Sequence, residues 1–182
     1  MAKGVKLEKV LKAMGLRNYI EEMDLKEYVV ELSDVNRPGL QLTGFYDHFE
    51  VGRLQVVGMV EHSFLSTKTE EEKKQIWDTF FSYKVPGVIF CRGFEPEDFV
   101  IELARKYDVP LMGTDRGTSE FMAELIATLG LELAPSTTIH GVLVDVYGEG
   151  LLIMGESGIG KSEAALELIR RGHRLVADDV VE

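Results

Sequence analysis

The apolar positions of the chain follow two rhythms, one at helical period and one in short continuous runs. Leu7, Val10, Leu11 and Met14 recur at helical spacing, and Gly15 behind them is a stop signal. Tyr28-Val29-Val30, set between Glu27 and Glu31, has the β-branched and aromatic make-up of a short strand. Arg37-Pro38-Gly39 then punctuates the chain. Residues 54–60 predict a second strand. Ser66 or Thr67 is placed to cap a helix running to Phe81, with Ile76, Trp77 and Phe80 as its apolar stripe. Residues 87–90 predict a buried strand, and Glu95-Pro96 opens a helix through Phe99, Ile101, Leu103 and Ala104. Residues 109–112 predict the next strand. A helix follows from Thr118 or Ser119, with Phe121, Met122, Leu125, Ile126 and Leu129 facing inward and Gly130 as its end. Strands and helices alternating at this spacing indicate parallel βαβ units, so residues 1–133 are expected to form an α/β domain.

Leu133-Ala134-Pro135-Ser136 reads as a linker, and beyond it the pattern changes. Residues 137–147 are rich in β-branched and apolar types, Gly148-Glu149-Gly150 is a tight turn, and residues 151–154 return as a second strand. That is a hairpin signal. It opens a second domain over residues 134–182.

Composition narrows the function classes. Apolar residues make up 45% of the chain, yet no run approaches the length needed to span a bilayer. The N-terminus leads into a charged helical pattern rather than an apolar leader. One cysteine, Cys91, excludes an intrachain disulfide and fits a reducing compartment, so a cytoplasmic location is expected. The net charge of −11 argues against a nucleic-acid partner. Residues 1–133 hold 16 Lys/Arg against 23 Asp/Glu, and residues 134–182 hold 4 against 8. Both parts being acidic, a bound phosphate must be held by local backbone groups and a few chosen cations.

Gly155-Glu156-Ser157-Gly158-Ile159-Gly160-Lys161-Ser162 fits the Walker A pattern at every fixed position. Glycines let successive backbone N–H groups face one concavity and surround phosphate oxygens. The lysine reaches the β and γ oxygens, the serine hydroxyl ligates Mg²⁺, and a helix N-terminus beneath the loop adds free donors. A strand at residues 151–154 enters the loop. A helix over residues 163–170 leaves it, with Ala164, Ala165, Leu168 and Ile169 on its buried side. Leu175-Val176-Ala177 ending in Asp178-Asp179 has the character of a Walker B strand, which brings an acid beside the P-loop magnesium. A chance glycine-rich turn and a solvated strand end are the plain readings of the same residues.

The stretch from His140-Gly141-Val142 through the P-loop to Arg171-Gly172-His173-Arg174-Leu175-Val176-Ala177-Asp178-Asp179 resembles the HPr kinase/phosphorylase family. The resemblance is close over residues 137–179 and looser but collinear over the first domain, where Gly113-Thr114-Asp115-Arg116 aligns with a similar stretch. It implies an enzyme that phosphorylates a serine of HPr, the phosphocarrier of the bacterial sugar phosphotransferase system. The donor would be ATP or pyrophosphate with Mg²⁺, and the phosphate would be removed again by phosphorolysis, in carbon catabolite regulation. It implies His140 and Lys161 as active-site groups, Ser162 at the magnesium, and Asp179 as the proton acceptor beside Asp178, with the division of roles between the two aspartates open. It also implies HPr as protein partner and a homohexamer. Members of the family continue well past Glu182 with a further magnesium carboxylate and more strands, so a chain ending there is expected to be inactive alone.

Other readings stay open beside this one. A nucleotide-responsive regulatory module without catalysis, or a P-loop kinase for a small metabolite, would share the motif and differ in the acceptor. His140 without the resemblance is an ordinary strand histidine. His48, His62 and His173 belong to no pattern, Cys91 suits a core position, and Trp77, Phe80 and Phe81 suit a helix core stripe. Asp115-Arg116-Gly117-Thr118 is either a helix cap or a ligand site at the end of a parallel strand.

Overall fold

The computed structural model describes residues 4–135 and 137–181; the Met1-Ala2-Lys3 start, Ser136 of the expected linker and the final Glu182 lie outside the described residues. The chain divides into two compact units, Met1–Ala134 and Pro135–Glu182. The first contains β1 (Val5–Lys6), α1 (Leu7–Met14), β2 (Arg17–Asn18), β3 (Val29–Val30), β4 (Val35–Asn36), α2 (Gly39–Leu42), β5 (Leu54–Val57), α3 (Met59–Ser66), α4 (Glu70–Ser82), β6 (Val88–Phe90), α5 (Asp98–Tyr107), β7 (Leu111–Gly113) and α6 (Thr118–Leu133). The second contains β8 (Ile139–Val146), β9 (Glu149–Met154), α7 (Lys161–Arg170), β10 (Arg174–Ala177) and β11 (Val180–Val181). The chain is α/β, as its sequence pattern predicts.

A five-stranded sheet in the order β2-β7-β6-β5-β4 forms the middle of the first unit, with β4 to β7 parallel and β2 antiparallel on the edge. Its inner strands β5, β6 and β7 are buried on both faces, as a covered parallel sheet requires. Period-two alternation sorts them. Leu54, Val56, Ile89, Cys91 and Met112 face one core with Val10 and Met14 of α1 and Phe121, Leu125 and Leu129 of α6. Val57, Val88, Phe90 and Leu111 face the other with Trp77, Phe80 and Phe81 of α4 and Val100 and Ala104 of α5. A smaller pair, β1 with β3, is antiparallel. Gln55 is fully buried inside β5, and its amide is satisfied: Asn36 Nδ2 donates to Oε1 at 2.8 Å, while Nε2 donates to the Arg53 carbonyl at 2.7 Å.

Several boundaries move from their sequence-based positions. The strand expected over residues 54–60 stops at Val57, because the Glu61 carboxylate accepts the Gly58 N–H at 2.9 Å and starts α3 there. Met59 and Val60, apolar by type, are consequently exposed. Thr69 caps α4 rather than Ser66 or Thr67. It forms a reciprocal box with Glu72 (Glu72 N–H to Thr69 Oγ1 at 3.3 Å, Thr69 N–H to Glu72 Oε2 at 2.8 Å), whereas Ser66 ends α3 with its hydroxyl on the His62 carbonyl. Glu95-Pro96 precedes α5, whose N-cap is Glu97. Tyr28 lies just outside β3. Gly130 does not end α6; the helix runs to Leu133, its cost of about 1 kcal/mol outweighed by the buried stripe. Ile126 is exposed rather than inward-facing.

In the second unit, β8 pairs antiparallel with β9, β10 and β11. Tyr147 (φ 56°) and Gly148 (φ 88°) make the two-residue loop between β8 and β9, both in the left-handed region that such a hairpin demands. Its core is small: Val142, Val144 and Ala165, with Val146, Ile153 and Leu168 against them. Ala164, expected on the buried side of α7, is exposed, and Ile169 is only partly covered.

Candidate phosphate-binding and phosphoryl-transfer site

β9 delivers the chain to residue 155, and α7 begins at Lys161, so residues 155–160 form the loop between a strand and a helix. Gly160 occupies the N-cap at φ 100°, ψ 19°, a left-handed conformation that costs glycine nothing and a β-carbon-bearing residue about 1–2 kcal/mol. Gly158 is also left-handed, at φ 83°. Glycine at the N-cap supplies no side chain to α7, and its first-turn N–H groups remain open as anion donors. Lys161 folds back over the loop, with Nζ donating to the carbonyls of Gly155 and Glu156 at 2.8 Å each. Its ammonium is thereby held above the concavity. Glu156, Ser157, Ile159 and Ser162 are exposed around it.

His140 and Asp179, 39 positions apart in sequence, meet through the pairing of β8 with β11, in which Val180 lies opposite His140. His140 Nδ1 lies 3.3 Å from the Asp179 carbonyl oxygen. A proton on Nδ1 donates to that carbonyl and leaves Nε2 as an acceptor. The Gly141 N–H donates to the same oxygen at 3.2 Å. On its other ladder Gly141 is paired with Met154, the last residue of β9 before the P-loop. The entry to the loop and the aspartate turn therefore converge on one residue of β8, each about one strand spacing (~5 Å) away.

The aspartates are not at the end of a parallel strand. A register shift between Leu175 and Ala177, then a turn at Asp178-Asp179, carries the chain from pairing with Leu143 to pairing with His140. Asp179 has φ 72°, and the Val180 N–H closes on the Asp178 carbonyl at 3.0 Å. Both carboxylates are exposed, and among the described residues neither makes an ion pair. Among the described residues no group of three or more His, Cys, Asp or Glu side chains is clustered to hold a metal. A cation held by Ser162 and a carboxylate would thus need phosphate oxygens to complete its shell, the usual arrangement for Mg²⁺. No helix among the described residues is long and apolar enough to cross a membrane.

The description HPr Serine kinase N terminus matches residues 5–129, and HPr Serine kinase C-terminal domain matches residues 131–182. The chain belongs to the HPr serine kinase family. It is 52% identical over 178 residues to an HPr kinase/phosphorylase of Lachnoclostridium phytofermentans, and 45% identical over 179 residues to one of Clostridium perfringens. Each alignment covers 98% of this chain and 58% of the relative, so the chain spans somewhat more than half the length of the curated relatives it matches. Among solved structures it resembles the CBS and DRTGG domains of the regulatory region of a Clostridium perfringens pyrophosphatase, a complex with the activator diadenosine tetraphosphate. The TM-score is 0.51 at 17% identity, over 72% of this chain and 50% of that one, which is a likeness of fold alone. The family relationship extends over both units, including the first, where sequence motifs are weakest.

Sequence alone groups His140, Lys161, Ser162, Asp178 and Asp179 by resemblance, and the antiparallel ladder supplies a physical link between His140 and Asp179. No local signal in the sequence announces that contact, because it depends on the register of β11 on β8.

Proposed function

We propose that this chain carries the nucleotide-binding start of a kinase/phosphorylase that places a phosphate on a serine of HPr, using ATP or pyrophosphate, and removes it by phosphorolysis. The observation supporting this most directly is the convergence of the P-loop entry and the His140–Asp179 contact on Gly141. Family membership supports HPr as the acceptor, since the relatives are named HPr kinase/phosphorylase. In this reading the first-turn amides of α7 and the loop N–H groups of residues 155–160 hold phosphate oxygens, and Lys161 neutralises them. Ser162 and one of the two aspartates hold Mg²⁺, which when bound offsets phosphoryl charge. Asp179 accepts the serine hydroxyl proton in the forward direction and returns it in reverse, and His140, oriented by the Asp179 carbonyl, faces the same chemistry. The family-length protein acts as a cytoplasmic homohexamer in catabolite regulation.

Transfer of labelled phosphate from ATP to HPr tests this, with the chain continued to the length of its relatives. Lys161→Ala should abolish phosphorylation and phosphorolysis together, since one lysine faces the donor in both directions. Retention of both would place the phosphoryl donor elsewhere. Nucleotide binding without transfer by the unmodified family-length protein would favour a regulatory P-loop module instead.

A further inference from the structure

β8 is the central strand of the second unit, with β9 along one edge and β10 and then β11 along the other. Pairing with β10 ends at Leu143, and pairing with β11 begins at His140. Gly141 and Val142, between them, face the Asp178-Asp179 turn. There the Gly141 N–H donates to the Asp179 carbonyl at 3.2 Å, and His140 Nδ1 reaches the same oxygen at 3.3 Å. Because a carbonyl only accepts, this contact holds the neutral ring in its Nδ1–H tautomer, whereas a free histidine ring favours Nε2–H.

On the other edge Gly141 stands opposite Met154. Its N–H being spent on Asp179, the two form a non-hydrogen-bonded pair, the kind in which strand backbones come closest. The approach here is closer than a side chain permits. A β-carbon at 141 would lie 2.8 Å from the Ile153 carbonyl oxygen and 3.2 Å from Leu152 Cδ1. The leucine methyl can turn away, but the carbonyl is backbone, so the strands would have to part by a few tenths of an ångström. β8 is pinned, with Val142 and Val144 buried against Ala165 of α7. The movement therefore falls on β9, at a peptide two residues before Gly155. Gly141 is not among the left-handed glycines, so the close approach, and not its own backbone conformation, requires glycine. Gly150 is the contrast on the same hairpin: opposite Asp145, a β-carbon there would meet Leu143 Cδ1 at an ordinary 3.7 Å.

Glycine inside a strand weakens it, and a strand glycine marks a place where another backbone must come close. At 141 the backbone that comes close is the one leading into the P-loop, while the opposite edge holds the aspartate turn. We infer that Gly141 is a positioning residue for phosphoryl transfer: it sets how far the P-loop entry stands from the His140–Asp179 corner. This rests on the phosphoryl-transfer reading of the site. A donor phosphate held by the loop and a proton acceptor on the turn must meet at one serine oxygen, and such groups tolerate about 0.5 Å of misplacement. A side chain at 141 moves the loop away from the corner while leaving each of them intact.

Gly141→Ala, Gly141→Val and Gly150→Ala can be compared with the parent at family length, following labelled phosphate from ATP to HPr and its return. Since a misplacement of 1 Å costs about 10²-fold, Gly141→Ala should lower kcat about ten-fold in both directions, and Gly141→Val more. ATP affinity should stay at the parent value, because β9 carries the loop with it as a unit. Gly150→Ala should behave as the parent. Nuclear magnetic resonance of the 182-residue chain gives the readout that simple destabilisation would not. In Gly141→Ala the Hα–Hα contact between residues 141 and 154 should weaken and the amides of residues 153–156 should shift, while the His140 ring nitrogens keep the Nδ1–H signature. Transfer by Gly141→Ala at the parent rate would overturn the inference. So would joint loss of ATP binding and transfer, since the glycine would then serve the loop itself, or loss of the Nδ1–H signature, since the corner would have collapsed. A parent that transfers nothing to HPr would instead sink the phosphoryl-transfer reading, and this inference with it.

Discussion

Asp179 sits at φ 72°, in the left-handed region that aspartate and asparagine tolerate better than other residues carrying a β-carbon. Its carbonyl, not its carboxylate, holds the Gly141 N–H and faces His140. Asp179→Asn therefore preserves the turn and both backbone contacts while removing the proton acceptor, a cleaner probe than the sequence alone would have promised. In the family-length protein this change should lower transfer to serine and phosphorolysis alike, by about 10²–10⁴-fold, because one group serves both directions. Nucleotide affinity should survive, the P-loop being untouched. If Asp178→Asn stops transfer while Asp179→Asn abolishes Mg²⁺-nucleotide binding, the two roles are exchanged; if neither changes turnover, the pair is only a solvated turn. Residue identities at this site were readable because the P-loop needs specific types at fixed spacing. The backbone conformation that presents Asp179 was not, since it belongs to the turn that follows a register shift within β10, between Leu175 and Ala177.

At the scale of elements, composition and period located α1, α4, α5 and α6 and strands β3, β5, β6 and β7 of the first unit but not the short β1, β2, β4 and α2 or the helix α3, and capping chemistry decided the ends. Thr69 shows the difference. Three candidate hydroxyls, Ser66, Thr67 and Thr69, precede the same helix, and both Thr67 and Thr69 have a glutamate three residues on; Thr67 is spent closing α3, its hydroxyl on the Phe64 carbonyl, which leaves Thr69 to complete the box with Glu72. Hydrogen bonds from the Thr69 backbone N–H and side chain hold the Glu72 carboxyl below its usual range, and Lys68 adds a smaller pull. A carboxyl with a depressed folded pKa contributes stability that is full above its unfolded pKa and is lost as pH falls through the folded value. Thr69→Ala should cost about 1 kcal/mol near neutral pH, a fall of roughly 3–5 °C in Tm. That penalty should shrink as the pH is lowered through the carboxylate range, because the parent then loses its half of the box as well. Thermal melts of both proteins at about pH 7, 4 and 3 check the convergence. A penalty constant across the range would mean that Glu72 contributes nothing to the cap. Gly130 carries the opposite lesson: a residue read as a stop stayed inside α6, because Phe121, Leu125 and Leu129 on the buried stripe outweigh one glycine.

The two units of the molecule are unequally built. The first covers both faces of its sheet, with separate apolar cores fed by alternate residues of the same strands. Among its described residues the second buries the apolar side chains of Val142, Val144 and Ala165 alone, while Leu151, Met154, Ile159, Leu166, Leu175, Val176 and Val180 are exposed, Ile159 by 70%. A core of three small-to-medium side chains supplies little of the roughly 25 cal/mol per Å² that offsets conformational entropy, whereas the first unit buries Trp77, Phe80, Phe81 and Phe121 completely. Domain-scale burial of this kind is not legible in local patterns: the hairpin, P-loop and helix of the second unit each look complete in sequence, and the shortage of partners for their apolar faces is visible only when they are folded. The 182-residue chain should accordingly unfold in two steps. Amide exchange should be fast across β9, α7 and β10 and slow in β5, β6 and β7 under the same conditions, because protection follows the free energy of local opening. Brief protease treatment should cut first within residues 134–181 and leave a resistant piece ending near residue 134. Nucleotide added before digestion should delay those cuts if the P-loop binds it, since a ligand bound only by the folded form stabilises that form. Equal exchange protection in both units, or first cuts between residues 85 and 111, would show that the chain opens as one body and that its division lies elsewhere.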